Sequence, residues 1–158
     1  LQHRKFDSPA QAAFLHLWRT YDCLKAVEDE LFAKFDISPQ QYNALRLLDS
    51  VWPGAMPTLS LGKALISRNP DTTRLLDRLE RREWVERERL ADNRRVVEVR
   101  ITKAGRQLLK RMAPEIVDMH TRQLGHLSRG DLSRLVKLLQ AARRPHDDAS
   151  CGWLDEEA

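Results

Sequence analysis

Between Pro70 and Ile101 the hydrophobic period of this chain changes from that of a helix to that of a strand, with no linker between the two. Thr72, Leu75, Leu76 and Leu79 stand at i, i+3, i+4 and i+7, which places them on one helix face. Thr73, Arg74, Asp77, Arg78, Arg81 and Arg82 fall on the other side. From Trp84 to Leu90, and again from Val96 to Ile101, the period is two, with Val97, Val99 and Ile101 on a common face. Ala91-Asp92-Asn93-Arg94-Arg95 separates these runs as a polar, basic turn. A helix followed at once by a β-hairpin with arginines at its tip is therefore expected.

The rest of the chain is helical by its punctuation. Ser8-Pro9-Ala10-Gln11 and Ser38-Pro39-Gln40-Gln41 each offer a Ser N-cap, a Pro at the first helical position and a Gln able to close a capping box. Asn69-Pro70, Thr102, and Ser128 with Asp131 mark three further starts. The expected helices span about 9–35, 39–50, 61–66, 70–82, 103–124 and 129–143, with Pro114 a kink or break in the fifth. Trp52-Pro53-Gly54 and Pro57 read as a loop. The first helix carries Phe14, Leu17, Trp18, Tyr21, Leu24, Leu31 and Phe35 on one stripe. That is more apolar face than a small core needs, so part of it is expected to meet another chain. Leu132, Leu135, Val136 and Leu139 form the stripe of the last helix.

Charge follows the same division. Residues 68–111 hold 14 Lys/Arg and 8 Asp/Glu, while the remainder of the 158 residues holds 13 and 15. Helix, short helix, helix and arginine-tipped hairpin, in that order and with that local charge, is the order of a winged helix-turn-helix. A helix fits the B-DNA major groove, and a hairpin beside it can place Arg in the minor groove. The fold class expected is mainly α (α+β), a winged helix-turn-helix between terminal association helices. The division expected is 8–36 with 103–143 for association, 37–102 for the winged module, and 144–158 as a loose tail. The candidate DNA contacts are Arg68 and Asn69 before the helix, Asp71, Thr72, Thr73, Arg74 and Arg78 on it, and Arg94 and Arg95 in the wing. Thr72 has packing as its alternative role, and Asp77 reads as the partner of a neighbouring Arg. Arg87 and Arg89 alternate with Glu86 and Glu88, so cross-strand pairing is expected for them.

Function classes are excluded by what the motifs lack. There is no phosphate loop, nucleophile elbow, HExxH or dinucleotide fingerprint, so no enzyme is expected. The cysteines, Cys23 and Cys151, and the five scattered His give no metal-ligand spacing, and neither a metal nor a cofactor is expected. No apolar run is long enough to span a bilayer, and no signal-peptide pattern is visible, so the localisation expected is cytoplasmic.

The segments LGKALISRNPDTTRLLDRLERREWVERE, LADNRRVVEVRITKAGRQLL and ISPQQYNALRLL resemble the MarR family of bacterial transcription regulators. The resemblance covers about residues 10–142. It implies a triangular homodimer with interlocked terminal helices, one winged module per chain, and a pseudo-palindromic double-stranded DNA operator. It further implies repression relieved by a small, often aromatic, effector held between the dimer helices and the winged module. His16, Trp18, Tyr21 and Trp52 are candidates to line such a site, with core or dimer packing as the alternative. Arg19 and Arg46 are candidates to receive a carboxylate. Two positions depart from the family pattern. Glu83 stands where many members have Gly before the first wing strand, and the wing reads Asn93-Arg94-Arg95 with Asp92 one position early. The alternatives to a DNA-binding regulator are a protein-interaction adaptor and a regulator switched by the Cys23 thiol. The peroxide-sensing branch of the family carries its cysteine near the position of Phe14, not of Cys23.

Overall fold

The computed structural model describes residues 6–66, 71–89 and 96–147. In chain order the elements are α1 (Pro9–Lys34), α2 (Pro39–Ser50), β1 (Met56–Pro57), α3 (Thr58–Ala64), α4 (Thr72–Arg81), β2 (Val85–Arg89), β3 (Val97–Ile101), α5 (Lys103–Leu124) and α6 (Arg129–Arg143). The strands form one antiparallel sheet in the order β1-β3-β2. The fold class is the one expected, a mainly helical chain carrying a small winged sheet.

Four of the helix starts sit on the expected caps. Ser8, Ser38, Thr102 and Ser128 each accept from a backbone N–H three residues on, and Ser38 with Gln41 closes a full capping box. Four local expectations are corrected. α3 begins at Thr58 rather than near Leu61, and its Thr58 hydroxyl donates to Val97 O at 2.8 Å, a contact distant in sequence. The stretch expected to be only loop contains β1, whose Met56 and Pro57 pair with Val99 and Glu98. α5 runs unbroken through Pro114, which is exposed, so water can reach the carbonyl its ring leaves unbonded. The tail begins in order: Arg144–His146 form a 3₁₀ turn, and Arg143 Nε donates to Asp147 Oδ2 at 2.8 Å across it.

The core lies where α2, α3 and α4 meet the sheet and the first half of α5. Leu45, Leu48, Leu61, Leu76, Leu79, Val85, Val99, Ile101, Leu108 and Met112 are fully buried there. Burial of each such side chain contributes about 1.5–3 kcal/mol. α1 contributes only its C-terminal part, Leu31 and Phe32. Its first half is bare: Phe14 is 61% exposed, Trp18 62% and Tyr21 59%. α6 buries no residue, and Val136, Leu138 and Leu139 are exposed on it.

Two helices end the same way. At the end of α1, Asp36 takes φ 50°; Asp36 N–H donates to Ala33 O and Ile37 N–H to Phe32 O. At the end of α4, Glu83 takes φ 57°; Glu83 N–H donates to Glu80 O and Trp84 N–H to Leu79 O. Both are Schellman ends, each closed by a buried apolar pair, Phe32 with Ile37 and Leu79 with Trp84. Glu83 thus adopts the left-handed conformation itself, in the place where the resemblance leads one to expect Gly. Arg82 joins the two ends. Its Nη1 donates to Asp36 O at 2.9 Å and to Asp36 Oδ2 at 2.6 Å, and its guanidinium lies 4.2 Å from the centre of the Trp84 ring.

A left-handed non-glycine residue costs about 1–2 kcal/mol, offset in part by the extra freedom Gly gives the unfolded chain. Glu83→Gly is therefore expected to raise unfolding stability by about 0.5–1 kcal/mol. Urea denaturation measures it, and a loss of stability contradicts the strain assigned to Glu83.

Candidate nucleic-acid interface

α4 is held by its cap, its core stripe and one close approach. The cap is Asp71, whose Oδ1 accepts from Arg74 N at 3.0 Å. This corrects the expected start at Asn69-Pro70. Asp caps as well as Asn does, and Thr72-Thr73 serve as a first turn. The Asp71 carboxylate also pairs with Arg74 Nε at 3.1 Å. It therefore orients the helix start and the arginine, with its side chain 55% exposed. Thr72 is half-buried against α3, so close that a Cβ on Gly62 would lie 3.0 Å from its hydroxyl oxygen. Packing is thus one role of Thr72. Thr73, Arg74 and Arg78 are exposed on the outward face of α4, the Arg74 side chain by 81%. Arg68, Asn69, Arg94 and Arg95 lie outside the described residues. Arg94 and Arg95 belong to the connection between β2 and β3, which in the sequence is the hairpin tip.

The wing joins α4 through a group that the sequence reading assigned elsewhere. Arg87 on β2 does not pair across the strands. Its Nη2 donates to Asp77 Oδ1 at 2.7 Å, its Nε donates to Glu80 Oε2 at 3.0 Å, and Nη2 also reaches Glu80. The signal was available: Arg87 shares a strand face with Val85, and that face turns toward α4. Cross-strand pairing belongs to Arg100 instead, whose Nη2 donates to Glu88 Oε2 at 2.9 Å on the outer face. The Arg87 hydrogen bond holds the Glu80 carboxyl below the usual carboxylate range. Arg87 itself is shifted up, first by Glu80 and then, against the cost of burial, by Asp77.

α5 locks the same region from behind. Thr102 donates to Glu83 O at 2.7 Å, and a Cβ on Gly105 would lie 2.4 Å from Trp84 O, so only glycine lets α5 approach so closely. Arg106 reaches α2, donating to Asp49 Oδ1 at 2.7 Å beneath the Trp52 ring.

The six candidate effector residues are not gathered within one chain. His16, Trp18, Arg19 and Tyr21 stand on the exposed half of α1, with His16 against Phe6, Trp18 against Phe14 and Arg19 paired with Asp22. Arg46 is on α2 beside Tyr42, whose hydroxyl pKa is raised by burial and partly restored by Arg46. Trp52 lines an open cleft of ≈ 650 Å³ with Glu80, Glu83, Arg87, Arg100 and Lys103. Six of its eleven lining residues are charged and it is open to solvent, unlike the enclosure an aromatic ligand needs. Cys23 is exposed on the same half of α1. Among the described residues no group of three or more His, Cys, Asp or Glu could hold a metal ion, and no helix is long and apolar enough to cross a membrane.

Known proteins share this arrangement. Residues 37–97 match the family model of the MarR family. The HTH-type transcriptional regulator PecS of Dickeya dadantii is 30% identical over 112 residues, which are 70% of this chain and 68% of PecS. The chain belongs to the MarR family. It is a MarR-type transcription regulator with a winged helix, from a family of regulators rather than enzymes. A MarR transcription factor from Planctomyces limnophilus is 50% identical with a TM-score of 0.69, the match covering 87% of this chain and 99% of that one. A MarR family regulator from Streptomyces coelicolor, solved in complex with DNA, shares the fold at 17% identity with a TM-score of 0.80, over 96% and 97% of the two chains.

Because the Glu80 pKa is depressed in the folded protein, its pairing stabilises the fold above the ordinary carboxylate range. That contribution is lost as pH falls through the lowered value. In thermal unfolding followed from neutral to acid pH, the wild type is expected to lose more stability than Glu80→Gln. Parallel pH profiles contradict the pairing.

Proposed function

We propose that the chain is a repressor that binds a pseudo-palindromic DNA duplex as a homodimer, through the terminal region 8–36 and 103–143. The winged module of each protomer, residues 37–102, sets α4 in a major groove and the arginine tip of its hairpin in the neighbouring minor groove. One observation carries this reading. The outward face of α4 presents Thr73, Arg74 and Arg78 to solvent next to the β2–β3 hairpin, whose connecting sequence contains Arg94 and Arg95. The DNA held by the Streptomyces coelicolor relative supports it. The arginines of the tip also favour DNA over a protein-binding adaptor, which has no need of them.

The exposed apolar half of α1 and the unburied α6 support the dimer. Phe14, Leu17, Trp18 and Tyr21 on one, with Val136, Leu138 and Leu139 on the other, are surfaces a monomer would leave in water. A small aromatic effector enters this reading at the seam between protomers, beside Trp18 and Tyr21 on the apolar face of α1; His16 stands on the other side of that helix. It acts only by binding one arrangement of the two modules better than the other.

Arg74→Ala is expected to lower affinity for the selected operator by about 1–3 kcal/mol, measured by fluorescence anisotropy. Unchanged affinity removes Arg74 from the contact. Trp18→Glu places a charge in the apolar face of α1 and is expected to give monomers in sedimentation velocity. A dimer that survives it contradicts the assigned interface.

A further inference from the structure

Asp77 is awkwardly placed for a helix that reads DNA. At 100° per residue it stands about 60° from Arg74 and about 40° from Arg81 around α4, with Glu80 a further 60° or so on. Asp77 therefore belongs to the outward face, beside the stripe of Arg74, Arg78 and Arg81. Its side chain is 46% exposed and that of Glu80 40%. Duplex DNA carries about one negative charge per 1.7 Å of axis, so a bare carboxylate there opposes binding.

β2 supplies the countercharge. Arg87 lies on the core face of the strand, opposite fully buried Val99 in the register of the hairpin. Its stem is held by the sheet, and its guanidinium is turned onto both carboxylates at once. Only 25% of its side chain is exposed, and its Nε and Nη2 donors are engaged by Asp77 and Glu80. Arg74 and Arg78, by contrast, extend from the exposed face. A lysine could not reproduce the two-carboxylate fork, because its ammonium is a single point charge.

We propose that Arg87 is a positioning residue that sets DNA affinity without touching DNA, by offsetting one of the two negative charges of Asp77 and Glu80 and holding both carboxylates to the wing strand. The inference rests on the DNA-binding reading above. It also gives the wing strand a task of its own, which is to condition the helix.

The test uses the full chain and a labelled random-sequence duplex at low salt, followed by fluorescence anisotropy. Arg87→Gln is expected to weaken binding by about tenfold. Combining it with Asp77→Asn and Glu80→Gln is expected to restore affinity to within about threefold of wild type, although no ion pair has been rebuilt. Asp77→Asn with Glu80→Gln is also made with Arg87 in place, where it is expected to change affinity by less than about threefold. Thermal unfolding of each variant separates lost fold from lost binding. An equal gain with and without Arg87 is simple removal of negative charge and overturns the proposal. Arg87→Lys, which keeps the fold's charge count, is expected to fall between wild type and Arg87→Gln, and it carries the comparison if Arg87→Gln does not fold. Wild-type affinity in Arg87→Gln, or a triple variant no tighter than Arg87→Gln, overturns the proposal alone. A wild-type chain that binds no duplex overturns the DNA reading and this inference with it.

Discussion

The winged module depends on one turn of backbone, Arg82-Glu83-Trp84. There the chain leaves α4, spends one residue in the left-handed region, and enters β2 with Trp84 buried beneath it. Three other elements close on the same turn. The end of α1 is tied to it through Asp36 and Arg82, the cap of α5 through Thr102, and the first turn of α5 through the close approach of Gly105. α4 and the wing are consecutive in the chain, so the angle between them is set at this point. The left-handed residue is locally costly, but the contacts gathered around it leave the backbone no cheaper path.

Outside that junction, polarity is divided by element. The face of α4 that points away from the core is cationic, and its carboxylates are all engaged: Asp71 by the helix start and Arg74, and Asp77 and Glu80 jointly by Arg87. The apolar surplus is at the two ends of the chain, on the first half of α1 and along α6. The chain therefore completes one core around α2–α5 and leaves a second apolar surface exposed. Ion pairs across the α1–α5 seam, Lys34 with Glu115 and Glu30 with Arg122, are largely exposed and contribute little beyond fixing orientation.

Much of this was legible in sequence because its causes are local. Ser38 and Gln41 specify the start of α2 from four residues, and Thr102 and Ser128 do the same for α5 and α6. The change of period at Trp84 placed the hairpin. What escaped depends on distant chain. β1 is two residues long, includes a proline, and exists because β3 offers it an edge. α3 has no side-chain cap of its own and is fixed by Thr58 reaching Val97. Arg87 looked like one charge in an alternating strand until the sheet was laid against α4. The candidate effector residues were chosen by type, and nothing in type alone says that Trp18 and Tyr21 share a face of α1 while His16 stands on its other side and Arg46 and Trp52 lie elsewhere.

A chain that pairs two such modules about a two-fold axis must read two inverted half-sites with their centres about one helical turn apart. Selection of bound duplexes from a random pool by the purified full chain measures this directly. The expected result is an enriched inverted repeat with half-site centres about 10 base pairs apart. Recovery of a single unrepeated half-site, or of no sequence above the starting pool, contradicts a two-fold reader of DNA.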